Sequence, residues 1–172
     1  GIAAVVEACK LRWGQPLDLL AAIGHGRSFG RPSRVLARGL PGILECGLWD
    51  ELARRAPLPS AGLITDIGND ILFGASTETI AEWIDLSLQR LAAVCEQLIV
   101  TELPMASVEQ LGPRRFRFLR RILFPKSQID FDQALSAVRD LNAILRRLAI
   151  RYRAHVVRPV EHWYALDPIH IR

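Results

Sequence analysis

Apolar runs broken by polar turns recur along this chain. The most informative is Ala61-Gly62-Leu63-Ile64, which ends in Thr65-Asp66-Ile67-Gly68-Asn69-Asp70. A short run of that kind predicts a strand buried in a parallel sheet, with its C-terminal end where ligands bind. Upstream, Ile2, Val5, Val6, Cys9 and Trp13 share one face of a predicted helix, which Gly14-Gln15-Pro16 stops. Leu17 to Ile23 reads as a second buried strand, followed by a loop rich in Gly, Pro and Arg through Pro41. Leu44 to Arg55 predicts a short helix closed by Pro57 and Pro59.

Downstream of Phe73-Gly74, Ser76 or Thr77 can cap a helix, and Glu78 and Glu82 favour its positive end. Ile80, Trp83, Ile84, Leu88, Leu91 and Val94 then recur at helical spacing. Leu98 to Leu103 predicts a strand stopped by Pro104, and Leu135, Val138, Leu141, Leu145 and Leu148 mark a long amphipathic helix from Phe131. His155 to Val160 reads as a last short strand. Alternating strands and helices predict an α/β fold, with a mainly parallel sheet covered by helices on both faces. The connection 104–128 is too long for a simple loop and predicts an insertion over the ligand-binding edge of the sheet. Phe116, Leu119, Ile122 and Leu123 recur there at helical spacing, which suits either a lid-like helix or a plain packed one.

Composition narrows the class. Half of the 172 residues are hydrophobic, so a single domain over 1–172 with a real core is expected. No apolar run approaches the roughly 20 residues of a membrane span. Glu7, Lys10 and Arg12 interrupt the first apolar stretch before a signal-peptide core could form. Cys9, Cys46 and Cys95 have no metal-like spacing and sit in apolar patterns, which predicts buried free thiols and a reducing, cytoplasmic setting. The net charge of +4 is unevenly placed, because Gly112 to Lys126 carries Arg114, Arg115, Arg117, Arg120, Arg121 and Lys126 with no acid. Such a run is a solvated helix face or a surface for an anionic partner.

Two groups of residues carry candidate chemistry. Asp167-Pro168-Ile169-His170 follows the last predicted strand, and an acid three residues before a histidine can hold one ring nitrogen while the other acts as a base. Gly30 and Gly68-Asn69-Asp70 follow earlier strands. Together these blocks resemble the SGNH (GDSL-type) hydrolase family, in which a Gly-Asp-Ser block, a glycine, Gly-x-Asn-Asp and Asp-x-x-His come in that order. Asp167 and His170 match the last block, and Asn69 and Asp70 match the third, with Ile67 in place of its usual first glycine. Gly30 fits the second block, with Gly26 as its rival. The Gly-Asp-Ser block is not in the sequence.

The resemblance implies a three-layer α/β/α sandwich of flavodoxin-like type, and acyl transfer from a small-molecule or glycan ester to water. The catalytic serine is then expected upstream of Gly1. His170 would act as general base, Asp167 would orient it, Gly30 and Asn69 would form the oxyanion hole, and Asp70 would support the site. No metal, other cofactor or nucleic acid is expected, since no zinc motif, phosphate loop or dinucleotide fingerprint occurs and His25, His155 and His162 lack partners at ligand spacing.

Two competing readings remain. Gly26-Arg27-Ser28-Phe29-Gly30 matches the Gly-x-Ser-x-Gly nucleophile elbow, although Arg31-Pro32-Ser33 makes a poor start for the helix that elbow needs. The other is a non-catalytic binding module on the same fold, holding an anionic partner through residues 114–126.

Overall fold

The computed structural model describes residues 2–24, 26–35 and 38–160. In chain order these form α1 (Ile2–Trp13), β1 (Ser33–Val35), β2 (Arg38–Leu40), a 3-10 turn (Ile43–Glu45), α2 (Leu48–Arg54), β3 (Ala61–Ile64) and α3 (Asn69–Leu72). They continue through α4 (Thr77–Ala92), β4 (Gln97–Thr101), α5 (Met105–Leu123), α6 (Phe131–Tyr152) and β5 (His155–Val157). The fold is mixed α/β. Its main sheet is parallel, in the order β3-β4-β5, and β1 and β2 make a separate antiparallel hairpin.

The core lies where α4 and α6 pack on each other and on one face of the sheet. Ile64, Leu98 and Val100 point into it from the strands. Ile80, Ile84 and Leu88 of α4 and Val138, Leu141 and Leu145 of α6 meet them. Both helices begin at strong caps. The Ser76 hydroxyl accepts from the Thr79 N–H at 3.2 Å, which selects Ser76 over Thr77 as the cap of α4. At α6, Asp130 accepts from the Gln133 N–H at 2.8 Å while Gln133 accepts from the Asp130 N–H at 2.9 Å, a full capping box. A buried amide ties the last of these helices to the sheet: Asn142 accepts from the Leu103 N–H at 2.8 Å and donates to the Leu103 carbonyl at 3.1 Å.

Several expectations need correction. Leu17 to Ile23 forms no strand, because nothing among the described residues offers it ladder hydrogen bonds. Asp18 forms an ion pair with Arg55, yet Leu19 and Ile23 stand exposed. The apolar stripe of α1 buries none of its residues. Cys9, Cys46 and Cys95 are free thiols but only partly buried.

The segment 104–128 forms α5, bent at Gly112, whose φ of 67° and ψ of 163° break the helix just before Pro113. Its second half packs toward α6 through Phe116, which meets Phe131 edge-on with ring centroids 5.7 Å apart. None of the described helices is long and apolar enough to cross a membrane.

Candidate functional site

The polar turn after β3 is where two distant parts of the chain meet. Asp66 takes a left-handed φ of 56°, which turns the chain sharply and drops Asn69 and Asp70 into the first turn of α3. Both side chains are buried. The Asp70 carboxylate reaches the loop 42 positions earlier, where one oxygen accepts the Ser28 hydroxyl and the other accepts the Phe29 N–H at 2.9 Å. Burial raises the Asp70 pKa above its ordinary 3.8, against the opposing pull of the Phe29 and Ser28 hydrogen bonds and the Arg31 charge. Desolvation wins because the carboxylate has no contact with bulk water.

Ser28 is fully engaged. Its N–H donates to the Ser33 hydroxyl at 3.2 Å, its carbonyl accepts from the Ile43 N–H at 3.0 Å, and its own hydroxyl accepts from the Arg31 N–H at 3.3 Å. Beside it, Arg27 donates to the Pro41 carbonyl at 3.1 Å. The loop is thus clamped between residues 41–44 and α3. A nucleophile elbow would present its serine openly at the start of a helix. Here Ser28 is buried, bonded to a carboxylate, and followed by the hairpin β1–β2.

Gly30 lies in this clamped loop against Trp83 of α4, so close that a Cβ would fall inside the indole ring. Arg31 stacks over the same ring at 5.3 Å. Asn69 donates one amide hydrogen to the Asp66 carbonyl at 3.3 Å, and its Oδ1 has no hydrogen-bond partner among the described residues. A primary amide carries two N–H donors, so one bond to Asp66 leaves a second hydrogen to give.

Of the residues expected in the site, Asn69 and Asp70 share the turn at the C-terminal end of β3, and Asp70 joins that turn through Ser28 and Phe29 to the loop that carries Gly30. Asp167 and His170 lie outside the described residues, as do Trp163 and Tyr164. The Ser28–Asp70 pairing has no signal in sequence spacing, because it spans the whole of α2 and β3. An open cleft of about 790 Å³ lies elsewhere, along the β5 edge of the sheet, lined in part by Glu102, Arg146, Arg153, His155 and Arg158. There the buried Glu102 carboxylate pairs with Arg146 at 2.6 Å and lies 3.9 Å from Arg158. None of its lining comes from the turn after β3 or the Ser28 loop. Among the described residues no three His, Cys, Asp or Glu side chains gather as a metal site. No family model matches the chain, and neither a curated protein nor a solved structure does.

Proposed function

We propose that the chain is part of an SGNH-type serine hydrolase that cleaves an ester or acyl group. On this reading the described sheet and helices are a portion of a three-layer α/β/α sandwich. One observation carries the proposal: Asp70 ties the Gly30 loop to the Asn69 turn at the C-terminal end of a parallel strand. On this reading the Gly30 N–H and the Asn69 side-chain amide are the two donors of an oxyanion hole, and the brace holds the loop of one to the turn of the other.

The reaction then runs as two acyl transfers. A serine preceding Gly1 attacks the ester carbonyl while His170 takes its proton, with Asp167 steadying the imidazolium. Gly30 N–H and the second Asn69 amide hydrogen donate to the oxyanion. His170 passes the proton to the departing alcohol, and water, activated by the same histidine, releases the acid. The Asp66 carbonyl holds the Asn69 amide in place, and the Asp70 brace sets the loop that carries Gly30. Asn69→Ala is expected to slow turnover by on the order of 2.7–4 kcal/mol of barrier.

The test is a fluorophosphonate probe on this chain and on one extended upstream into its gene, with the labelled residue mapped by mass spectrometry. Labelling confined to the extended chain and lost in His170→Ala supports the hydrolase. Labelling of Ser28 overturns the assignment in favour of the elbow. Absence of labelling in both favours the second reading, a binding module that uses the basic residues of 114–126.

A further inference from the structure

The second half of α5 has a feature that acyl transfer does not use. Beyond the Gly112–Pro113 bend, residues 113–123 form a helix with two unlike faces. One is packed: Phe116 is buried, Leu119 and Leu123 are half-buried, and Arg120 donates to the Ile129 carbonyl at 3.0 Å. The other holds Arg114, Arg115, Arg117, Phe118, Arg121 and Ile122, all exposed. At about 100° per residue, Phe118 is the centre of that face, with Arg114 and Ile122 about 40° to either side and Arg115 and Arg121 about 60° away. Phe118 is 64% exposed and Ile122 52%, so two large apolar side chains stand in water inside a ring of guanidinium groups.

Among the described residues the charges are as unpartnered as the apolar groups. Arg54, Arg55, Arg146 and Arg151 each pair with an acid. Among the described residues, Arg114, Arg115, Arg117, Arg121 and Lys126 pair with none. Repulsion among like charges and exposure of apolar surface both disfavour this face in isolation. One class of partner relieves both at once: a surface with phosphates at its rim and hydrocarbon beneath.

We propose that residues 113–123 are a peripheral docking helix for an anionic lipid surface, with Phe118 and Ile122 entering between headgroups and Arg114, Arg115, Arg117 and Arg121 bonding phosphate oxygens. Single-stranded nucleic acid fits less well. It would use the cations and stack on Phe118, but it leaves the aliphatic Ile122 without a role. The packed Phe116 face anchors the helix to the body of the protein, so the helix lies flat on the surface rather than crossing it. This inference stands apart from the hydrolase reading, because it needs neither His170 nor a nucleophile.

Co-sedimentation of the full chain with vesicles tests it. Vesicles of phosphatidylcholine with about one-third phosphatidylserine should bind the protein, and pure phosphatidylcholine should not. Binding should fall several-fold as salt shortens the Debye length from about 10 Å to 3 Å. Phe118→Ser with Ile122→Ser, which keeps every charge, should weaken binding roughly tenfold. Arg114→Gln, Arg115→Gln and Arg121→Gln together should abolish it, while Lys at the same three positions should preserve it. Equal binding to neutral vesicles, or retention in the Gln triple variant, would overturn the proposal. So would tighter binding to single-stranded RNA that survives loss of Phe118 and Ile122.

Discussion

At the scale of single residues, Asp70 does the most. It is a buried carboxylate that accepts two hydrogen bonds, and its pKa is raised because loss of solvent outweighs the Phe29 and Ser28 donors and the Arg31 charge. A carboxyl whose pKa is higher in the folded than in the unfolded state holds its proton more tightly when folded. Its stabilising contribution is therefore present below the unfolded value and lost as pH rises through the folded one. Asn at this position stays neutral throughout. Urea midpoints from about pH 3.5 to 7 should show wild type losing stability relative to Asp70→Asn as pH rises. A wild type that gains on the variant over that range would mean that the hydrogen bonds outweigh burial. Gly30 shows the opposite kind of dependence, a residue chosen for what it lacks: the Trp83 ring occupies the space a side chain would need. That requirement exists whether or not its N–H serves an oxyanion.

Elements respond to caps and breaks, and these are the features most legible in the sequence. The helical spacing from Ile80 to Leu91 and from Leu135 to Leu148 foretold α4 and α6, because a 3.6-residue period leaves one apolar stripe to bury. Ser76 stops one helix from extending backward, and the box at Asp130 and Gln133 does so for the other. The apolar period of residues 116–123 gives no sign of the bend in α5, although Gly112-Pro113 is its cause. Pro113 disfavours helical geometry at the residue before it, and only glycine accepts φ 67° with ψ 163° at low cost. Gly112→Ala should lose about 1–3 kcal/mol in chemical denaturation, from backbone strain alone, since a Cβ there meets nothing within 4 Å. A loss well below that would mean that the bend relaxes.

On the scale of the whole molecule, the sheet is asymmetric. Among the described residues β3 is paired only with β4, and Leu63 on the strand is 39% exposed. The Ile23 carbonyl accepts from Arg27 at 3.4 Å, yet residues 17–23 have no ladder partner among the described residues. Parallel sheets normally bury both faces and pair their central strands on both sides. The hydrolase proposal supplies a strand before α1, which would lie on the edge of β3 that no described strand occupies. A chain extended upstream should then unfold at higher urea with a larger m-value, because more surface is buried on folding. An unchanged m-value would count against that placement.

By itself the sequence determined the local elements. Hydrophobic period, capping residues and proline stops act over a few neighbours, so β3, α4, β4, α6 and β5 could all be read from them. It also singled out Gly30, Asn69 and Asp70 as members of one candidate site, through the order of their blocks. Only the tertiary structure decided that Leu17 to Ile23 finds no strand to pair with among the described residues and that Ser28 is a buried brace. The same holds for the stripe of Phe118 and Ile122, which faces water while Phe116 packs inward. Each of these depends on what lies opposite in space. A strand needs a ladder partner, a buried hydroxyl needs an acceptor 42 residues away, and a helix face is defined by the neighbour it lacks.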